Sequence, residues 1–198
     1  MRLLTIWFGT NDSVLPSERQ HVPLAQFVAN LKHLITMVRS PSSEYYSPKT
    51  RILLISPPPV NTYQRGEDLA SRNPPRKCDR EFEFTKLYAE AVVKTAQEEG
   101  VAVADVWTVI WEAAGKDERA LSAYLPDGLH PNAKGYEVRS ISMCVKVYID
   151  HIFFLSSPTM SSANPSSGRI QKSTTTISAM LSHGIPSLSP SYLQCACS

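Results

Sequence analysis

The chain has 198 residues, 42% of them hydrophobic and 19% charged, which is typical of one globular domain with a sizeable core. Its 20 Lys and Arg against 18 Asp and Glu give a net charge of +2, too small to favour a nucleic-acid or membrane-surface partner. The apolar stretch at the N-terminus is short for a signal peptide and for a membrane span, so we expect a cytoplasmic protein.

Apolar runs alternate with helical periodicity along most of the chain. Residues 2–8 form a continuous apolar run that predicts a strand buried on both faces, and residues 22–38 follow with helical spacing. A second buried strand is predicted over 51–56, a helix over 80–99 and a third strand over 101–107. Strands that alternate with helices in this way predict an α/β fold with a parallel sheet.

The segments between these elements are polar. Residues 61–79 predict a long loop on the substrate side of the fold, because structureless loops of this length in compact domains are often lids or binding loops. Within that segment, Arg65 and Arg72 are interpreted as solvated charges in preference to substrate contacts. Further on, Asn132 is suited to cap a last helix that begins near Ala133.

The composition changes towards the C-terminus. Residues 1–150 are expected to form the globular domain, and a helix is one interpretation of the weaker pattern after Val138. Residues 156–198 contain thirteen Ser and four Thr, no acidic residue and no sustained periodicity. A segment of this kind does not bury enough apolar surface to fold, so residues 151–198 are expected to be a disordered Ser-rich tail.

Two short motifs follow predicted strands. Residues 9–12 read Gly-Thr-Asn-Asp and come after the first strand, while residues 127–132 read Asp-Gly-Leu-His-Pro-Asn. Each motif alone is also a good turn sequence. In an α/β sheet, however, both would lie beyond the carboxyl ends of the strands, where such folds place their sites.

The residue types in the two motifs fit acyl transfer. A histidine that acts as general base needs a carboxylate on its other ring nitrogen, and residues three apart in a tight loop reach each other, as Asp127 and His130 would. An asparagine amide such as that of Asn11 stabilises a developing oxyanion. The spacing therefore predicts a base, its orienting carboxylate and one oxyanion donor, and leaves the nucleophile unassigned.

Two other chemistries remain open at this point. A flavodoxin-like nucleotide-binding module has the same sheet pattern, but the sequence contains no Gly-rich phosphate loop. A metal hydrolase would use Asp12, Asp127 and His130 as ligands. The four cysteines show no metal-ligand spacing, and neither a metal nor a cofactor is expected.

The two motifs also resemble conserved blocks of a known family. Residues 8–13, Phe-Gly-Thr-Asn-Asp-Ser, resemble the third block of the SGNH (GDSL-like) hydrolases, and residues 127–131 resemble the fifth. Within that family the sequence is most similar to fungal isoamyl-acetate-hydrolysing esterases, through residues 22–24, 54–59 and 127–135. The resemblance extends over residues 1 to about 138.

The resemblance implies a flavodoxin-like, three-layer α/β/α fold and an ester hydrolase of short-chain or acetate esters. Asn11 would supply an oxyanion donor, His130 would act as the base and Asp127 would orient it. The small ester would be the only partner, and the oligomeric state stays unassigned.

The sequence departs from the family at its beginning. Members carry the nucleophilic serine in a Gly-Asp-Ser motif after a first strand, and a second strand leads to an oxyanion glycine, but neither block occurs here. Ser13 belongs to a different loop and is not expected to replace that serine. We therefore expect a sheet without the first two strands and a chain that is inactive alone; the alternative is a non-catalytic binding variant or a fragment of the hydrolase.

Overall fold

Residues 2–137 are the part of the chain that the computed structural model describes. Strands and helices alternate along it in the order β1 (Arg2–Ile6), α1 (Leu24–Arg39), β2 (Thr50–Ile55), α2 (Thr62–Ala70), α3 (Phe82–Glu99), β3 (Ala102–Ala104) and α4 (Val106–Ala113). A 3-10 helix over Arg119–Ala123 follows, and residues 133–137 are helical. The predicted tail over 151–198, and the weak helical pattern before it, lie outside the described residues.

The three strands form one parallel sheet in the order β1-β2-β3. Leu4 of β1 pairs with Ile52 of β2, and Leu54 of β2 pairs with Val103 of β3. Because the strands are parallel, their carboxyl ends meet at one edge of the sheet. The predicted α/β fold with a parallel sheet is confirmed.

Helices cover the sheet on both faces because the side chains of β2 alternate between two apolar cores. Ile52 and Leu54 point to one core, and Leu53 and Ile55 point to the other. The first core is completed by the apolar stripes of α1 and α3, and the second by α4 and the 3-10 helix. Full burial of each large apolar side chain contributes about 1.5–3 kcal/mol, so β2 anchors all three layers.

Strand β1 is covered on one face only, which corrects the expectation that it is buried on both. Leu4 and Ile6 pack into the core formed with α1 and α3. Leu3 is 55% exposed, and Thr5 on the same face is also exposed. The difference arises because β1 lies at an edge of the described sheet, where α4 does not reach over it.

The predicted long loop over 61–79 is wrong, since the segment contains helix α2. Asn61 caps this helix, with its side-chain oxygen accepting a hydrogen bond from the amide of Gln64 at 3.2 Å. Only Arg65 and Leu69 of the helix are buried. The apolar periodicity is therefore too weak to reveal the helix in the sequence. Arg65 is buried in α2 and is not a solvated loop charge, whereas Arg72 lies after the end of α2 and is exposed, as expected.

The third strand is shorter than predicted because a helix begins inside the apolar run. Asp105 accepts a hydrogen bond from the amide of Thr108 at 3.2 Å and so starts α4 directly after β3. The predicted cap at Asn132 is confirmed, as its side-chain oxygen accepts from the amide of Gly135 at 3.0 Å. In residues 2–137, none of the helices combines the length and the hydropathy that crossing a bilayer requires.

Candidate active site

Asp127 and His130 form a hydrogen-bonded pair in the loop after the 3-10 helix. The imidazole Nδ1 of His130 lies 2.6 Å from Oδ2 of Asp127. The other carboxylate oxygen, Oδ1, accepts the backbone amides of Leu129 at 3.0 Å and His130 at 2.7 Å. Both oxygens are therefore used within a single turn, which holds the carboxylate in one orientation towards the imidazole.

The surroundings of Asp127 keep its carboxylate ionised. Burial opposes ionisation, but the amide and imidazole of His130 and the amide of Leu129 lower the pKa of Asp127 to about 2. An ionised carboxylate only accepts hydrogen bonds, so Nδ1 of His130 must carry the proton in this pair. The second ring nitrogen, Nε2, is then the basic one, and the side chain that carries it is 75% exposed.

The loop that carries the Asp127–His130 pair is hydrogen-bonded to the start of α2. The amide of Asn61 donates to the carbonyl oxygen of Gly128 at 2.9 Å, and Gln64 Nε2 donates to the carbonyl oxygen of Pro126 at 3.2 Å. Gly128 has a φ of +79°, and a Cβ placed on it would lie 2.5 Å from the carbonyl oxygen of Asn61. Only glycine fits this contact, which fixes the Asp127–His130 loop against α2.

Asn11 lies in a separate tight turn after β1. The turn is closed by the amide of Gly9, which donates to Oδ2 of Asp12 at 3.0 Å, and by the amide of Ser13, which donates to the carbonyl oxygen of Gly9 at 3.0 Å. The Asn11 side chain is exposed. Within residues 2–137 no hydrogen bond occupies its amide group, which leaves the donor available to a ligand.

The structure does not pair Asn11 directly with Asp127 or His130, but it links their two loops. Gly9 approaches Pro57, where the chain leaves β2, and the same segment reaches Asn61 and Gly128. A second link runs through the buried residues 65, 79 and 80. This second link is not predictable from the sequence, because charged residues in a polar segment give no sign that they will be buried.

The metal-hydrolase alternative finds no support in the described residues. In that part of the chain no three His, Cys, Asp or Glu side chains come together as a metal-binding group. Asp12 instead uses a carboxylate oxygen to close its own turn, by accepting the amide of Gly9. Cys78 is a free, half-buried thiol.

Comparisons with known proteins identify the family of the chain. The model of the GDSL-like lipase/acylhydrolase family matches residues 2–138. An isoamyl acetate-hydrolyzing esterase 1 homolog of Bos taurus is 37% identical over 136 residues, which are 68% of this chain and 51% of the relative. A GDSL esterase/lipase of Arabidopsis thaliana is 31% identical over 137 residues, or 66% of this chain and 53% of the relative.

Similarity to solved structures supports the parallel α/β fold. An acetylxylan esterase from Geobacillus stearothermophilus has a TM-score of 0.51 and 20% sequence identity, and the match covers 74% of this chain and 59% of that one. The chain spans about half the length of the curated relatives that it matches. With the family model matching more than two thirds of its residues, the chain belongs to the GDSL-like lipase/acylhydrolase family.

Proposed function

We propose that the chain carries the general-base part of an SGNH-type carboxylic ester hydrolase that acts on small esters, such as acetates. The observation that carries the proposal is the 2.6 Å contact between Asp127 Oδ2 and His130 Nδ1, which leaves Nε2 as the basic nitrogen of an exposed side chain. The relatives support the reaction class, because their names describe esterases. A cytoplasmic location, and the absence of nucleic-acid and membrane partners, stay predictions.

In the proposed mechanism, His130 Nε2 takes the proton of a nucleophilic hydroxyl while the hydroxyl oxygen attacks the ester carbonyl carbon. Asp127 stabilises the resulting imidazolium, and the Asn11 amide donates to the oxyanion of the tetrahedral intermediate. His130 then returns the proton to the departing alcohol. Water repeats the sequence on the acyl-enzyme and releases the carboxylic acid.

We further propose that no serine of the described part is the nucleophile. Ser13 is fully buried and donates its hydroxyl to the carbonyl oxygen of Thr10 at 3.3 Å. In residues 2–137 no serine hydroxyl forms a hydrogen bond with His130. Because loss of the nucleophile removes on the order of 10⁶ in turnover, the 198-residue chain alone should hydrolyse esters at a rate near background.

The free edge of β1 supports the proposal that the nucleophilic serine lies at the end of an additional strand. In the described sheet β1 pairs only with β2, so within residues 2–137 its other side has no strand partner. Leu3 and Phe8 beside this edge are 55% and 56% exposed. A parallel strand added there would end at the same sheet edge as the loops of Asn11 and His130, where a serine at its end would meet both.

The test compares hydrolysis of p-nitrophenyl acetate by two proteins. One is the 198-residue chain, and the other is the same chain preceded by the Gly-Asp-Ser strand and the oxyanion-glycine strand of a family esterase. We expect background rates from the first and catalysis from the second. In the extended protein, Asn11→Ala should lower kcat about 10²- to 10³-fold, as loss of an oxyanion donor typically does.

The matched controls use the same residue types away from the site. In the extended protein His130→Gln should abolish turnover, whereas His33→Gln, at an exposed position of α1, should leave it unchanged. Enzymatic rates from the 198-residue chain alone would overturn the assignment of the nucleophile. Turnover that survives His130→Gln would overturn the proposed function itself.

A further inference from the structure

Three charged side chains that the mechanism does not use lie buried together between the two site loops. Arg65, Asp79 and Arg80 are only 7%, 5% and 4% exposed. Arg65 donates two hydrogen bonds to Asp79, from Nε to Oδ1 at 3.1 Å and from Nη2 to Oδ2 at 2.9 Å. We call these three residues the buried bridge.

One end of the buried bridge reaches the loop of the Asp127–His130 pair. Arg65 lies in the first turns of α2, where its amide nitrogen is 2.7 Å from the position that a Cβ on Gly128 would take. The hydrogen bonds to Asp79 chiefly raise the pKa of Arg65, and the charge of Asp127 adds to this effect. Arg65 therefore touches the loop through its backbone and attracts its carboxylate through its charge.

The other end holds the turn that carries Asn11. Nη1 of Arg80 donates to the carbonyl oxygen of Thr10, which belongs to the peptide group that joins Thr10 to Asn11. The amide of Leu15 donates to the backbone oxygen of Asp79 at 2.9 Å, beyond the turn. The turn is thus attached to the buried bridge on both sides of Asn11.

Stability alone is a poor explanation for these buried charges. Desolvation of buried ions is costly, and apolar residues of similar volume often replace a buried ion pair without loss of stability. Here two guanidinium groups share one carboxylate, and Nε of Arg80 is a buried nitrogen without a hydrogen bond in the described part of the chain. Such an arrangement suits a set of residues that fixes the position of one loop relative to the other.

We propose that Arg65, Asp79 and Arg80 are positioning residues, which set the loop of Asp127 and His130 relative to the turn of Asn11. This inference rests on the proposed function for its consequence in catalysis, but the linkage itself is a property of the folded chain. A shift of about 1 Å between catalytic groups lowers turnover by as much as about 10²-fold, so a link of this kind has a measurable effect.

The decisive test is hydrogen exchange in the full 198-residue chain with the triple variant Arg65→Met/Asp79→Leu/Arg80→Met. The triple change removes all three buried charges together, so that none of them is left without a counter-charge, which guards against simple unfolding. We expect exchange to become about ten-fold faster in both loops, at the amides of Leu15, Asn61 and Gly128, and to stay within about two-fold in β2. The matched control is Arg72→Met, which removes an exposed arginine that pairs with Asp68.

Each pattern of exchange has a definite meaning. Faster exchange throughout β2 would show that the buried bridge only supports the fold, and unchanged exchange at Gly128 or at Leu15 would show that it does not join the loops; either result overturns the proposal. Hydrolysis is not needed for this measurement, so failure of the proposed function would be recognised separately. In the extended esterase described above, the triple variant should lower kcat about 10- to 100-fold and leave KM within about two-fold, which a loss of folded protein alone would not do.

Discussion

The amide nitrogen of Asn61 lies 2.9 Å from the carbonyl oxygen of Gly128, and this contact joins the start of α2 to the loop of the catalytic pair. Asn61 follows the segment that leaves β2, while Gly128 lies between Asp127 and His130, next to Asp127. The position of the imidazole therefore depends on the position of β2, the central strand of the described sheet.

Replacing Gly128 by alanine should break this contact. The new Cβ would lie 2.5 Å from the carbonyl oxygen of Asn61 at a φ of +79°, so strain and overpacking together should cost about 2–5 kcal/mol. Gly100→Ala is the matched control, because its φ is +58° with no atom within 4 Å, and strain alone should cost about 1–2 kcal/mol. Urea unfolding measures both, and equal losses would contradict the close contact.

The low pKa of Asp127 predicts a dependence of stability on pH. Because the pKa falls from 3.8 to about 2 on folding, the ionised carboxylate stabilises the folded chain above pH 3.8, and this contribution is lost as the pH falls towards 2. With solvent screening of the partly exposed pair, the contribution should be about 1 kcal/mol. Unfolding free energies at pH 5 and pH 2 give its size.

Asp127→Asn should remove that part of the pH dependence. The same change at Asp117, an exposed residue whose carboxylate accepts one amide at 2.9 Å, is the control for the loss of a charge. If both variants keep the pH profile of the parent chain, Asp127 is not held in its ionised form by the contacts described.

The open face of β1 predicts a tendency to associate. Leu3 is 55% exposed, so Leu3→Glu should raise the solubility of the chain and change its unfolding free energy by no more than about 0.5 kcal/mol. Leu53, in the neighbouring strand, is 1% exposed, and Leu53→Glu should unfold the chain because it buries an unpaired charge. Light scattering and circular dichroism distinguish the two effects, and equal solubility of parent and Leu3→Glu would contradict the prediction.

A fluorophosphonate probe tests the assignment of the nucleophile directly. Such reagents react with serines that a histidine activates, and Ser13 is buried with its hydroxyl bonded to Thr10. The 198-residue chain should therefore remain unlabelled, and the extended protein should be labelled at the added Gly-Asp-Ser serine. A labelled peptide that contains Ser13 would refute the assignment.

Strong local patterns in the sequence predicted most of the fold. The apolar run of β2 and the helical stripe of α1 are unambiguous, because each buries several residues in regular spacing. Helix α2 escaped prediction since only Arg65 and Leu69 are buried. The first residues of α4 were assigned to the third strand, because the cap at Asp105 interrupts a run with strong strand propensity. Both errors occur where one polar side chain decides the local structure.

The sequence predicted those contacts of the site that join residues close together in the chain. The spacing of Asp127 and His130 places them within one turn, so their pairing follows from the sequence. The buried bridge was not predictable, because the burial of Arg65 and Arg80 depends on how α2, the segment before α3 and the turn of Asn11 pack in three dimensions. Charged residues separated by 14 positions carry no local signal of such packing.

The protonation of the His130 imidazole is decisive for the role of Asp127, because the proposed chemistry requires a carboxylate that keeps the proton on Nδ1. Long-range ¹H–¹⁵N spectra of the 198-residue chain, recorded at about pH 8.5 where histidine is ordinarily neutral, identify the protonated nitrogen without any need for hydrolysis. We expect His130 to carry its proton on Nδ1, and Asp127→Asn to abolish this preference. A proton found on Nε2 of the parent chain, or an identical spectrum in the variant, would show that Asp127 does not set the tautomer of His130.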